Sequence, residues 1–465
     1  MGNTGMKVDK VELHKIRHRL ENDIEDLLKT LKEFSPDINF DSAKQLMEFL
    51  FLEELEIEKV EKTWVAYKTE ASIKKHDGAL GRYVNKKHKI KVKGLNLDPD
   101  ADFKTKAGFP SVSKDAIAFY IVKAMERSDE KIVNFLKTLK VYKQLSKLHG
   151  TYAVGIEQAL ENTQDGTIYS RYKLDGTVTG RLSCAAATRG PKKEDKLGIS
   201  FHTLPREEDE RYNIRSVFVC DEDEDFICAD FSTMELRILA HISKDRFLCK
   251  AFNEGRDLHT FTASLIYNKP EEKITKQERS VAKTVNFGIV YGAGLKKIAA
   301  TCEMTVAETK RIFNKHKEIF KEAHGFLKSL EGYIKLNKYV ISLFGRYRRL
   351  PDVESSDSAI VHSCLRKGKN FVIQSSASDV LVAANIEIYN FLRESKFPAK
   401  VIANVHDSIE IICKKTHTSR LLPLIKKILV KPRILKEEFN LELSVPLEVD
   451  FEIGPSFGKG EKVSV

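Results

Sequence analysis

No long hydrophobic run occurs anywhere in this sequence. About 18 consecutive apolar residues are needed to cross a bilayer as a helix, and no such stretch is present, so no membrane span is expected. The N-terminal MGNTGMKVDKVELHK lacks the apolar core of a secretory signal. Met6 stands where an N-myristoylation signal has Ser or Thr. Cysteine is scarce: seven among 465 residues, at positions 184, 220, 228, 249, 302, 364 and 413, with no Cys-x-x-Cys pair. That spacing excludes a zinc ribbon and a disulfide framework, and it points to reduced thiols in a cytoplasmic setting, whether a bacterial cytosol or, for a phage-encoded chain, that of its host.

What is present describes a soluble globular chain, 42 % hydrophobic and 31 % charged, long enough for two or three compact units. Its 78 basic residues exceed its 67 acidic ones, a net charge of +11, which suits a polyanionic partner. Residues 8–60 carry apolar residues at threes and fours and are predicted helical, with a break at Pro36-Asp37 and a second helix in FDSAKQLMEFLF capped by Asp41 or Ser42. Residues 62–108 read as an exposed basic excursion, with β-hairpin potential around Lys89–Lys93, suited either to solvent or to a phosphate backbone. Pro110-Ser111-Val112-Ser113 opens a helix, and a long amphipathic helix is expected from about 129 to 160. GTIYSRYKLDGTVTGRLS, 166–183, alternates like a hairpin or small sheet. An acidic turn at 221–225 then separates two β-rich runs that read as adjacent strands.

Three stretches carry chemistry. In FICADFSTMELRILAHIS, 226–243, a short buried strand ends at Asp230 and a helix with Glu235 and Arg237 follows. A carboxylate at the tip of a core strand suits a metal ion, and it equally suits a helix N-cap. In ITKQERSVAKTVNFGIVYGAG, a Thr275/Glu278 capping box starts a helix that Gly292-Ala293-Gly294 ends. Arg279, Lys283, Phe287 and Tyr291 recur every four residues on it. Each such step rotates about 40°, so two cations and two aromatics share one slowly winding stripe. That stripe fits a triphosphate with a sugar and base, or solvated cations beside core aromatics. In KVIANVHDSIEIICKK, two apolar runs flank His406-Asp407-Ser408, the pattern of a tight hairpin with an acid at its bend. Arg366, Asn370 and Gln374 form a hydrogen-bonding stripe between the last two.

Together these residues resemble the polymerase region of family A DNA polymerases. DFSTMELRILAHIS, RSVAKTVNFGIVYG and NVHDSIEI are similar to the family's three motifs, with TGRLS, DLHTFTA and FGRYRRLPD in the family's order, and FDSAKQLMEFLF, GFPSVSKDA and YKQLSKLHGTY similar to thumb helices. The resemblance implies an α/β (α+β) right-hand fold: a thumb at 1–165 with the basic insertion at about 62–108, a palm built on an antiparallel sheet from 166–250 and 360–465, and helical fingers at 251–359. It implies template-directed extension of a primer 3′-hydroxyl by dNTPs, releasing pyrophosphate.

By the same resemblance Asp230, Asp407 and the Phe231 backbone carbonyl would hold two Mg²⁺ ions about 3.5–4 Å apart, with Mn²⁺ able to substitute. Arg279, Lys283 and His259 would hold the triphosphate, with Lys283 also counted as catalytic. Phe287 would pack near the sugar and Tyr291 near the templating base, and Glu235 would exclude a ribose 2′-hydroxyl. Arg181, Arg366, Asn370, Gln374 and His406 would touch primer-template DNA, the first four in the minor groove.

The implied partners are primer-template DNA, dNTPs and an accessory replication protein at the thumb insertion, with the chain a monomer away from membranes. A single-subunit RNA polymerase is the competing enzyme class, opposed by Glu235 and TGRLS; a catalytically dead relative is opposed by the two retained acids. Three departures stand out: Ser408 replaces the Glu of the usual His-Asp-Glu, Thr233 replaces a Gln, and Phe201-His202-Thr203-Leu204-Pro205 replaces Leu-Gln-Asn-Ile-Pro. No stretch corresponds to a proofreading nuclease, so no 3′–5′ exonuclease activity is expected.

Overall fold

The computed structural model describes residues 4–66, 81–105, 107–190, 192, 195–206 and 209–465. The chain divides into two compact units, 23–145 and the remainder, 1–22 with 146–465. The first unit is thus shorter at both ends than the stretch expected as a thumb.

Within the unit 23–145, helices Ala43–Phe51, Lys114–Glu126 and Glu130–Lys147 begin where their caps direct them. Ser42 and Ser113 accept from the third N–H beyond them, satisfying an otherwise orphaned donor. Phe34, Phe40, Phe49 and Phe135 form the aromatic heart, with ring centroids 5.0 to 6.3 Å apart.

The helical expectation for 8–60 fails beyond Phe51. Glu54–Ala66 (β1) is a strand, paired antiparallel along its whole length with Gly81–Lys93 (β2). The period is two rather than 3.6: Leu55 and Ile57 turn inward while Glu54, Glu56 and Glu58 face out. Those acids meet Lys91, Lys89 and Lys87 across the ladder at 2.7, 3.0 and 2.7 Å. The anticipated hairpin is therefore a thirteen-pair arm, far longer than Lys89–Lys93. Its distal end exposes Trp64 and Tyr83, packed ring to ring at 5.0 Å. The remainder of the expected basic excursion, 67–80, lies outside the described residues.

The larger unit is built on a five-stranded antiparallel sheet. Its strands are Glu224–Phe231 (β3), Ala399–Val405 (β4), Ser408–Lys414 (β5), Val449–Gly454 (β6) and Glu461–Val463 (β7), in the order β4-β5-β3-β6-β7. Alternation divides the faces. Ile227, Ala229, Ile409, Ile411, Cys413, Val449 and Phe451 enter the main core, packed with Met234–Ser243 (α1) and the long helix Ser358–Glu394 (α7). The opposite face carries the polar rows Ser408–Asp230–Asp450 and Glu410–Cys228–Glu452.

α7 is long and apolar enough to cross a membrane by length and composition, yet 78 % of its most apolar window is buried inside the fold. It is a core helix, and its mixed Ser, Ala and Asn composition reflects close packing on several sides. The expected helical stretch after α1 is present as Arg246–Asn253 (α2), Leu258–Tyr267 (α3), Lys276–Tyr291 (α4), Val306–Ile319 (α5) and Lys321–Asn337 (α6), with one further short helix, Leu295–Cys302, between α4 and α5.

One strand pairing differs from the sequence reading. Phe218–Val219 does not lie beside β3; it joins a separate sheet with Met6–Val8 and Thr167–Ile168. Ser216 Oγ donates to Asn213 O at 2.7 Å and closes a 3₁₀ turn at Ile214–Val217, which cuts the β-rich run short.

Asp245 fastens this helical region. It is fully buried, accepts from Phe247 and Leu248 N–H at the start of α2, and accepts from Ala323 N–H in α6 at 3.1 Å. Asp245→Ala leaves three buried donors unpaired and is expected to destabilise this unit by about 3 kcal/mol. A urea melt with an unchanged midpoint would contradict that role.

Candidate active site

β3 and α1 meet at a sharp corner. Asp230 ends the polar face of β3, and Thr233 adopts a left-handed φ of +51° to start the helix. Thr233, not Asp230, occupies the N-cap position, so the capping alternative for Asp230 does not hold. Arg237 braces the corner. Although 3 % exposed, it donates from Nε to Ser232 O at 2.9 Å, pairs with Glu448, and rests over Phe252.

Asp407 arrives from the two-residue bend between β4 and β5, where His406 takes a φ of +57°. Phe231 N–H donates to Asp407 O at 3.1 Å, which fixes the bend beside the end of β3. Asp230 and Asp407 therefore line one cavity of about 500 Å³, shared with Phe231, Glu235, Asp257, His259, Arg279, Lys283 and Phe287. Seven of the side chains singled out from sequence are gathered there from four separate stretches.

The electrostatics of the cavity follow from this gathering. Burial raises the Asp230 carboxyl from the usual 3.8 to about 6, and the neighbouring Asp407 carboxylate pushes the same way. Among the described residues no third acid, imidazole or thiol joins them as a metal-binding group. Two carboxylates and the Phe231 carbonyl are hard oxygen donors, a set that fits Mg²⁺ completed by water and substrate oxygens.

Opposite them, α4 has the predicted bounds and both halves of its capping box, and it ends at Gly292 with φ +60°. Arg279 is held by Asp257 in a two-pronged pair, Nε to Oδ1 at 3.0 Å and Nη2 to Oδ2 at 2.8 Å. Hydrogen bonds from Arg279 and Thr260 outweigh burial and hold the Asp257 carboxyl well below its usual range. Lys283 is exposed toward the cavity. His259, 3 % exposed, packs its ring 5.6 Å from Phe287. Phe287 and Tyr291 stack at 6.3 Å.

Glu235 is 2 % exposed and its Oε1 lies 2.6 Å from Arg181 Nη2. The same guanidinium is 3.5 Å from Asp407 Oδ1. Burial raises the Glu235 carboxyl, while Arg181, Tyr291 and Gln374 favour its charged form. Arg181 is thus a half-buried bridge between Glu235 and Asp407 rather than a free surface arginine. Asn370 Nδ2 reaches Val290 O at 3.5 Å, and the Arg366 stem lies against Gly292, so the α7 stripe borders the end of α4. His406 stacks on His202 at 5.7 Å, away from the cavity lining.

Sequence reading missed three groups. Asp257 appeared only inside a family signature. Asn286, one step from the stripe, is 1 % exposed and carries a hydrogen-bond network. Glu410 is fully buried, accepts from Ser408 Oγ at 2.5 Å, and is pushed up to about 7 by burial. The signal for Glu410 was available: an acid inside SIEIIC must face a neighbour two residues away.

An antiparallel sheet bearing paired acids, faced by a cation-bearing helix, is the right-hand polymerase architecture. The description of DNA polymerase family A matches residues 88–459, and the chain belongs to that family. DNA polymerase I of Caldicellulosiruptor bescii is 29 % identical over 456 residues, 98 % of this chain and 45 % of that protein. DNA polymerase I of Streptococcus pneumoniae strain TIGR4 is 31 % identical over 366 residues, 78 % of this chain and 38 % of that protein. The chain thus spans less than half the length of these relatives. The POL domain of Pol1 from M. smegmatis, solved in complex with DNA primer-template and dNTP, superposes with a TM-score of 0.76 over 98 % of this chain and 68 % of that one at 24 % identity, a likeness of fold.

The raised Asp230 carboxyl has a stability consequence. Between about pH 4 and 6 the folded protein holds a proton that the unfolded chain has released, so native stability falls as pH rises through that window. In chelator, Asp230→Asn is expected to be more stable than the native protein above pH 6, by up to about 2–3 kcal/mol, with the gap closing below pH 4. Thermal melts across pH check it; equal stability at pH 7.5 would refute it.

Proposed function

We propose that this chain is a DNA-directed DNA polymerase that extends a primer 3′-hydroxyl with dNTPs on a template. The observation that carries the reading is the single cavity uniting Asp230 and Asp407 with Arg279, Lys283, His259, Phe287 and Glu235. In this reading 166–250 and 360–465 form the palm, 251–359 the fingers, and 1–165 the thumb.

Asp230, Asp407 and the Phe231 carbonyl would hold two Mg²⁺ ions. Such ions acidify the attacking hydroxyl and neutralise charge developing on the phosphates. The protein's own contribution is positioning and complementary charge. Arg279, kept in orientation by Asp257, and Lys283 bind the polyphosphate, and Lys283 is placed to donate a proton to the leaving pyrophosphate. Phe287 packs against the sugar and Tyr291 against the templating pair. Glu235, immobilised by Arg181, occupies the space a 2′-hydroxyl would need. Arg366, Asn370, Gln374, Arg181 and His406 contact the primer-template, the donors among them matching minor-groove acceptors common to every base pair.

The β1–β2 arm adds a basic strand with an exposed aromatic end, chemistry suited to gripping a nucleic-acid backbone and stacking on a base. An accessory replication protein docking there is the alternative use of the same arm.

Primer extension with Mg²⁺ tests the central reading. Asp230→Ala and Asp407→Ala are expected to lose extension by about a thousandfold or more while still binding primer-template. Near-normal extension by either would overturn it. Phe287→Tyr is expected to admit dideoxynucleotides more readily, and Glu235→Ala to admit ribonucleotides; unchanged selectivity in both would refute their assignments. Replacing the exposed arm with a short turn is expected to reduce the salt dependence of DNA binding, and an unchanged slope would leave the accessory-protein use instead.

A further inference from the structure

We infer that Asn286 is a positioning residue for nucleotide binding, fixing His259 as the tautomer that donates from Nε2 into the cavity. The inference rests on the proposed contact between His259 and the triphosphate.

Asn286 lies on α4 one residue before Phe287 and points away from the cation-aromatic stripe into the protein. Its amide meets three partners. Nδ2 is 3.1 Å from His259 Nδ1 and 3.1 Å from Thr262 Oγ1, both on α3. Oδ1 is 2.8 Å from His316 Nε2 on α5. His316 Nδ1 is in turn 3.3 Å from His324 Nε2 on α6. Asn286, His259, Thr262 and His316 are all 3 % exposed or less, so bulk water does not compete for these bonds.

An amide nitrogen only donates and an amide oxygen only accepts, so this orientation gives the chain one direction. His324 donates to His316, His316 donates to Asn286, and Asn286 donates to His259 Nδ1. The Nδ1 of His259 is then an acceptor, and its proton must sit on Nε2. Burial lowers His259 to about 4 against the opposing charge of Asp257, with the neighbouring Arg279 and Lys283 adding to the lowering, and burial lowers His324 to about 4 and His316 well below its ordinary value. All three rings are therefore neutral near pH 7 and each carries one proton, as a one-directional chain requires. His259 lines the cavity between Asp257 and the α4 cations. A neutral ring with its proton on Nε2 offers a phosphate oxygen a directed donor, whereas the Nδ1–H tautomer would present a lone pair to an anion.

The chain also joins three helices to one residue of the site. α3, α4 and α5 meet at the Asn286 amide, and α6 joins through His324. A shift of α4 relative to α3 would break the bond that sets the His259 tautomer.

Steady-state kinetics of His259→Ala, Asn286→Ala and the double variant test the inference. His259→Ala alone is expected to raise the KM for dNTP about tenfold, the loss of one donor to a charged group. Asn286→Ala is expected to raise KM comparably, with a smaller effect on kcat, and the double variant is expected to be no worse than His259→Ala.

If His259→Ala leaves KM unchanged, the contact with the triphosphate is wrong. If His259→Ala raises KM while Asn286→Ala does not, or the two effects add, the positioning role is wrong and Asn286 merely holds the helices together. Should Asn286→Ala fold poorly, ring ¹⁵N shifts of His259 in the native enzyme decide. A protonated Nε2 with a bare Nδ1 is expected, and the opposite tautomer would overturn the inference.

Discussion

Two carboxylates held against each other by a sheet register are the constraint around which this molecule is arranged. Phe231 N–H bonded to Asp407 O leaves the β4–β5 bend no freedom to carry its acid away from the end of β3. The apolar undersides of both strands, Ile227, Ala229, Ile409 and Ile411, are fully buried, so slipping either strand would turn core residues to the polar face. Burial, with repulsion from Asp407 added, shows in the elevated Asp230 carboxyl, an unfavourable contribution sustained by a large hydrophobic core. Local conflict of this kind is characteristic of sites that await a countercharge.

The cations around the pair are themselves engaged. Arg279 is committed to Asp257, and Arg181 is shared between Glu235 and Asp407. A guanidinium clamped by a planar carboxylate is oriented before any ligand arrives, with fewer rotamers left to freeze. Lys283 stands exposed at the same cavity, one helical turn further along. One face of α4 thus combines a carboxylate-clamped guanidinium with an exposed ammonium.

Much of this was readable in the residues because local rules and tertiary demands agreed. The bounds of α4 follow from its capping box and its glycine stop, and the acid at the β4–β5 bend follows from two apolar runs with no room for a longer turn. Failures came where a pattern admitted two periods. Glu54–Val60 alternates charge with aliphatics, and Leu55 and Ile57 fit the tail of a helical stripe as readily as an inward strand face; only Lys87, Lys89 and Lys91 thirty residues later resolve it, through cross-strand pairing. Asn286 escaped because an amide amid Val285, Phe287 and Gly288 reads as neutral filling. Its partners His259, Thr262 and His316 come from two other helices, and no local window contains them.

The Ser408 departure is best understood as a redistribution of charge. A glutamate at that position would add a third carboxylate beside Asp230 on the same cross-strand row. The serine hydroxyl instead hydrogen-bonds Glu410, one row deeper and fully buried, whose carboxyl burial pushes up to about 7, so that it is only partly ionised at neutral pH. A partly neutral acid adds less repulsion to the pair above it than a full carboxylate would. Position 408 therefore adds no carboxylate to an edge that already carries Asp230, Asp407 and Asp450, and Glu410 lies in the sheet as a hydrogen-bonding group. Returning a glutamate to position 408 would add a fourth acid to the edge that holds Asp230, Asp407 and Asp450, with Arg181 already committed beside them.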